Sequence, residues 1–150
     1  MEKELLNSGK ELLLKDLCAR LPYGVRMFEI EPVNNIQSNL TLLSITNKES
    51  VICITPSGGV IGSSIDAFKP YLFPLSSMTK EQKEELKILG WNFDNFEIHN
   101  VSECLGTYRE YVAHSDCFAL IDWLNKNHFD YRCLIEKSLA LDATNLGIYE

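Results

Sequence analysis

Apolar residues recur at steps of three and four in Leu13, Leu14, Leu17, Cys18 and Leu21, the spacing of one helical stripe. Ahead of them, Ser8-Gly9-Lys10-Glu11 has the form of a capping box and predicts a helix start there, with Leu5 and Leu6 as a candidate earlier turn. Leu21-Pro22-Tyr23-Gly24 ends the helix, because the residue before a proline disfavours α geometry. From Val25 to Ile61 the period falls to two and β-branched residues dominate. Strands are predicted at Val25–Ile30, Leu40–Thr46, Val51–Thr55 and Val60-Ile61, with turns at Pro32–Asn35, Asn47–Ser50 and Pro56–Gly59. Their connections are too short for parallel crossovers, so the strands predict an antiparallel meander, curled like a small SH3-type barrel or half-barrel.

Beyond the meander the pattern turns helical again. Ser64–Phe68 reads as one helical turn, and Lys69–Leu75 as an extended, polyproline-like stretch with prolines four apart. Thr79-Lys80-Glu81-Gln82 is a second capping box. It opens a charged surface helix, Lys80–Leu89, that closes on Gly90 with Leu86, Ile88 and Leu89 inward. Asn92–Tyr111 has no dominant period; strands near Phe96–His99 and Thr107–Val112 are the best fits. Ser115-Asp116 then caps an amphipathic helix with Phe118, Ile121 and Leu124 inward and Trp123 at its border. Asn127–Asp130 forms a tight link, with Asp130 as N-cap of a final helix through Leu141. The sum is a single α+β domain over residues 1–150: an N-terminal helix, a small β meander, a surface helix and a C-terminal helical pair.

Composition narrows the setting. With 150 residues and 45% hydrophobic content, the chain can build its own core; domains of this size bury roughly 70% of their unfolded surface. No apolar run nears the roughly 18 residues of a membrane span, and Met1–Leu6 lacks the order of a signal peptide. The 5 cysteines are odd in number and widely spaced, as buried free thiols of a reducing, cytoplasmic protein would be. The net charge of −7 and the alternation of Lys with Glu in Lys80–Lys87, the densest basic stretch, argue against nucleic acid and anionic membranes as partners. The carboxylates are too scattered for a DNA mimic.

Some longer strings carry a resemblance. Glu11–Val25 (ELLLKDLCARLPYGV), Ile65–Thr79 (IDAFKPYLFPLSSMT) and Ile121–Leu141 (IDWLNKNHFDYRCLIEKSLAL) are similar, in this order, to a family of small uncharacterised proteins carried by Bacteroides-type gut anaerobes, their prophages and their phages. The similarity covers about a third of the chain. It implies a phage or mobile-element setting and no particular activity. Where that family carries glycine, this chain has Cys133 and Ser138, which argues against a role for the Cys133 thiol.

Candidate chemistry is sparse. Cys104, His114, Cys117, His128 and Cys133 offer only one close pair, His114-Ser115-Asp116-Cys117, where structural zinc uses two; neither a metal nor a cofactor is expected. Cys117, in the first turn of a predicted helix beside His114, is the one candidate for a thiolate nucleophile, against the competing reading that this turn packs in the core. Ser57-Gly58-Gly59 lacks the Lys-Ser/Thr and helix of a phosphate loop and reads as a hairpin turn. Recognition is better served by aromatic segments: Lys69, Tyr71 and Phe73 in the extended stretch, and Trp123, His128, Asp130 and Tyr131 around the helical corner. The competing reading makes Tyr71 and Phe73 a cover for the sheet edge and the corner residues core and caps. The leading expectation is a non-enzymatic binding or adaptor protein with a protein partner, a host protein or a further copy of itself. The alternatives are a small-molecule or nucleotide binder, such as a counter-defence sponge, and a cysteine-dependent hydrolase.

Overall fold

In the first helix, Leu13, Asp16, Leu17 and Arg20 share one face, and all four are buried. The computed structural model, which describes residues 2–32, 39–46, 50–89, 91 and 116–150, gives this helix (α1) as Glu2–Arg20. The helix therefore begins ahead of the Ser8–Glu11 box, and Ser8 and Gly9 lie inside it. At Gly9 an added Cβ would meet only Leu139, at an ordinary 3.6 Å. A short 3₁₀ turn, Leu21–Tyr23, and a left-handed Gly24 (φ 65°) then reverse the chain, as Pro22 and Gly24 predict.

Among the described residues the strands are β1 (Arg26–Glu29), β2 (Leu40–Thr46), β3 (Ser50–Ile54), β4 (Val60–Ser64), β5 (Phe68–Leu72) and β6 (Leu141–Asp142). They form one six-stranded sheet in the order β4-β3-β2-β1-β5-β6, antiparallel throughout except for the parallel β5–β6 pair. The molecule is thus α+β. The predicted short strand Val60-Ile61 extends to Ser64, and the register shift between Leu42 and Ser44 marks a bulge at the exposed Leu43. One core lies between α1 and the sheet, built from residues such as Leu17, Met27, Leu40, Val51, Phe68 and Leu134. A second, more aromatic core joins α2 (Lys80–Ile88) and α3 (Asp116–Lys126), with Leu86, Trp91, Leu120, Leu124, Phe129 and Tyr131 buried. The Thr79–Gln82 capping box closes α2 reciprocally: the Gln82 amide N–H donates to Thr79 Oγ1 and the Thr79 amide N–H donates to Gln82 Oε1. No helix among the described residues is long and apolar enough to cross a membrane.

Several expectations need correction. Lys69–Leu75 is not a polyproline-like arm: its first part is β5, flanked by β1 and β6, with Pro70 and Leu72 buried. β6 reaches only Tyr71 and Leu72, so Pro70 has a strand neighbour on one side, where a missing N–H is tolerated. Ile88 points outward, because a nine-residue helix with Leu86 fully buried turns the position two residues on away from the core. Phe118 also points outward, and Leu120 takes the place expected of it. Residues 131–140 form turns, not a final helix. Two left-handed residues, Cys133 (φ 58°) and Ser138 (φ 59°), prevent continuous right-handed geometry there. The turn Pro32–Asn35, the loop Asn47–Ser50, Gly90 and the Asn92–Tyr111 strands fall wholly or largely outside the described residues.

Candidate functional site

The candidate residues of the C-terminal corner converge on a junction of α1, α3 and the segment after α3. Arg20, fully buried, donates from Nε to Asp16 Oδ2 (2.7 Å) and from Nη2 to Asp16 Oδ1 (3.1 Å) and the Phe129 carbonyl (2.7 Å). Its guanidinium lies 5.4 Å from the Tyr131 ring centroid, and that of Arg132 lies 4.9 Å from it. Arg132 Nε is 3.3 Å from Asp16 Oδ1, so one buried carboxylate serves two arginines. The Tyr131 hydroxyl accepts from Arg132 Nη2 (3.1 Å) and donates to Asn125 Oδ1 (3.0 Å). Asp130 accepts from the amides of Leu134 (2.9 Å) and Ile135 (2.8 Å), so it caps a turn where the sequence predicts a helix cap.

The adjoining aromatic group closes the open side of β5. Phe73 donates its amide to the His128 carbonyl and accepts from the Asp130 amide, which holds the link against the end of the strand. His128, itself left-handed (φ 60°), stacks on Tyr149 with ring centroids 3.9 Å apart. The Tyr149 hydroxyl accepts from the Arg26 amide (3.1 Å) and donates to the Tyr71 carbonyl (2.6 Å), and burial pushes its pKa up. Burial, and then the nearby charges of Arg20 and Arg26, lower the His128 pKa to about 4. Its Nδ1 is buried without a hydrogen-bond partner, so nothing there would accept a second ring proton. Trp123 stacks on Phe129 at 5.6 Å and donates from Nε1 to Glu85 Oε2 across to α2.

The binding candidates fall into two states. His128, Asp130 and Tyr131 are buried, whereas Lys69, Tyr71, Phe73 and Trp123 are half-buried, Phe73 and Trp123 against the second core. Asp130 and Tyr131 make the structural bonds given above, and their polar atoms are already engaged. The sequence reading missed Asp16, Arg20, Asn125 and Tyr149. A signal existed for two of them: Asp16 and Arg20 are spaced i, i+4 inside an apolar stripe, where an ion pair is buried rather than solvated. Tyr149 carries no such mark.

Burial, with the Glu29 charge adding, pushes the Cys53 thiol up to about 12, which leaves it inert as a nucleophile at neutral pH. Cys133 lines an open cleft of about 150 Å³ with Pro74, Leu75, Ser76, Asp130, Ile135 and Glu136. His114 lies outside the described residues, as does the side chain of Cys117 in the first turn of α3. Among the described residues, no group of three or more His, Cys, Asp and Glu is placed to hold a metal ion. Comparison with protein-family models, curated proteins and solved structures finds no match to this chain.

Proposed function

We propose that the protein is a non-enzymatic binding protein, a phage or mobile-element adaptor that engages a host protein by surface contact. The observation that carries this reading is the outward placement of two large apolar residues whose spacing marks them for the core. Ile88 on α2 is 86% exposed and Phe118 on α3 is 80% exposed, although both helices present other residues to the second core. Exposed apolar groups of this size at an otherwise charged helical surface are the raw material of an interface. The bulge at Leu43 fits the half-barrel curl of a small SH3-type unit, and the similarity to the phage-borne family supplies the setting. The cleft beside Cys133, at about 150 Å³, is below the roughly 300 Å³ at which ligand pockets begin, so that cleft does not carry the alternative small-molecule reading.

The test is a paired capture from a host-anaerobe lysate with the wild type and the double variant Ile88→Ser/Phe118→Ser. Both positions are exposed, so the thermal midpoint should hold, and a captured host protein should fall about tenfold or more, the effect of removing a hot-spot residue. Equal capture by a folded double variant would sink the reading.

A further inference from the structure

Among the described residues, the two edges of the sheet are unlike. At one end β6 is two residues long and contains Asp142, so shortness and charge both limit its pairing. At the other end β4 runs for five residues, Val60-Ile61-Gly62-Ser63-Ser64, with neither proline nor charge, and pairs with β3 without a bulge. All of β4 is exposed except the half-buried Ile61, and Val60 is 63% exposed. The whole stretch Ser50–Ser64 holds none of the chain's 14 basic and 21 acidic residues. Natural sheets rarely leave such an edge unguarded, because its outward N–H and C=O groups are a template for another strand.

Which backbone groups point outward follows from the hairpin. The Thr55 amide donates to the Gly59 carbonyl at 2.8 Å, so Gly59 faces β3. Antiparallel pairing then alternates: Ile61 and Ser63 face β3, while Val60, Gly62 and Ser64 turn their N–H and C=O groups to the free edge. This pattern has a centre. A second β4 laid antiparallel across Gly62 sets Gly62 against Gly62 and Val60 against Ser64, with every outward group paired. Between those rows Ile61 sits beside Ser63. Each large side chain meets a small one, on both faces of the sheet. A neutral strand also lets two copies of an acidic protein approach where like charge is least.

We infer that β4 is a self-association edge, through which two copies of this chain join their sheets across Gly62 in a two-fold, antiparallel contact. A single strand edge buries less than a standard interface of about 1,600 Å², so the dimer is weak and dissociates on dilution. This contact is independent of the Ile88 and Phe118 surface.

Ser64→Pro is the sharpest test. Ser64 already has φ −60° and ψ 148°, which proline adopts without strain, and the substitution removes only an outward N–H. Sedimentation velocity from micromolar to millimolar concentration should show a wild-type monomer–dimer equilibrium. Ser64→Pro should weaken it about tenfold or more, since the lost donor counts once in each copy. Val60→Lys, at an exposed site, should do the same by adding a charge to the contact, and it serves as the reading if the proline variant fails to fold. The thermal midpoint of the isolated monomer should not move in either. A wild type that is monomeric at every concentration, or a dimer that survives in either folded variant, overturns the inference.

Discussion

The β3–β4 hairpin and the segment from Asn127 to Glu150 meet the same requirement, partners for backbone polar groups, in opposite ways. In the hairpin five consecutive residue pairs are in register and every second one exchanges backbone bonds, so the side chains have only to alternate. In the C-terminal segment the chain turns repeatedly, with left-handed residues at His128, Cys133, Ser138 and Asn145. There local turn bonds, such as those from the Lys137 and Leu139 amides to the Cys133 and Leu134 carbonyls, are joined by distant and side-chain partners: Arg20 donates to the Phe129 carbonyl, Asp130 accepts from the Leu134 and Ile135 amides, and the Tyr149 hydroxyl ties the segment to the backbone of Arg26 and Tyr71. Regular structure spreads its stability over many interchangeable contacts. Irregular structure concentrates it in a few side chains that have no substitute.

The sharpest way to break that contrast is Asp16→Ala. It strands Arg20 in the interior and removes the carboxylate facing Arg132, and loss of one partner of a buried pair costs about 3–5 kcal/mol. Chemical denaturation should show that loss, whereas truncating the exposed Ser57 in the β3–β4 turn should cost less than about 0.5 kcal/mol.

A next effect is pH-dependent and belongs to the C-terminal segment alone. His128 takes up its proton near pH 4 when folded and near its ordinary value of 6.5 when unfolded. Between those values the unfolded state binds the proton and the folded state does not, so stability falls as pH drops from 6.5 to 4, by about 3 kcal/mol in all. Thermal melts across that window should show the slope, and His128→Asn, which tolerates the left-handed backbone, should flatten it. A slope unchanged in the variant would assign the acid sensitivity elsewhere.

The smallest expected effect runs the other way. Ser138→Gly removes the cost of a left-handed side-chain residue, about 1 kcal/mol, and should raise the thermal midpoint. Ser138 is exposed, so no packing is lost in exchange.

The same contrast explains what could be read from the chain. The meander was legible because alternation and turn residues act locally: β2 lies at Leu40–Thr46 as predicted, and Pro56–Gly59 turns the chain. The Thr79–Gln82 box was legible because its partners are three residues apart. The last segment was not. Leu134, Ile135, Leu139 and Ala140 mimic helical spacing, while the residues that forbid a helix, Cys133 and Ser138, carry no glycine to announce a left-handed turn. Asp130 shows the half-success: it accepts backbone amides as a cap does, from residues four and five positions on. In α3 the helix was right, and Ile121 and Leu124 do face the core, but Leu120 rather than Phe118 joins them there. The candidate site was partly legible: the aromatic corner residues do come together, but the α1 ion pair that organises them lies 109 residues away in sequence from the Phe129 carbonyl.

That separation has a consequence during synthesis. A ribosome that has delivered β1 to β5 has made every antiparallel pair of the sheet, yet α1 still lacks the carbonyl that completes the Arg20 guanidinium. Loop closure over such a span is entropically slow to be rewarded, so the first helix must wait for Phe129 before its charged end can be sealed in. Until then the apolar side of the nascent sheet has only a half-anchored cover, so α1 and the segment after α3 mature together.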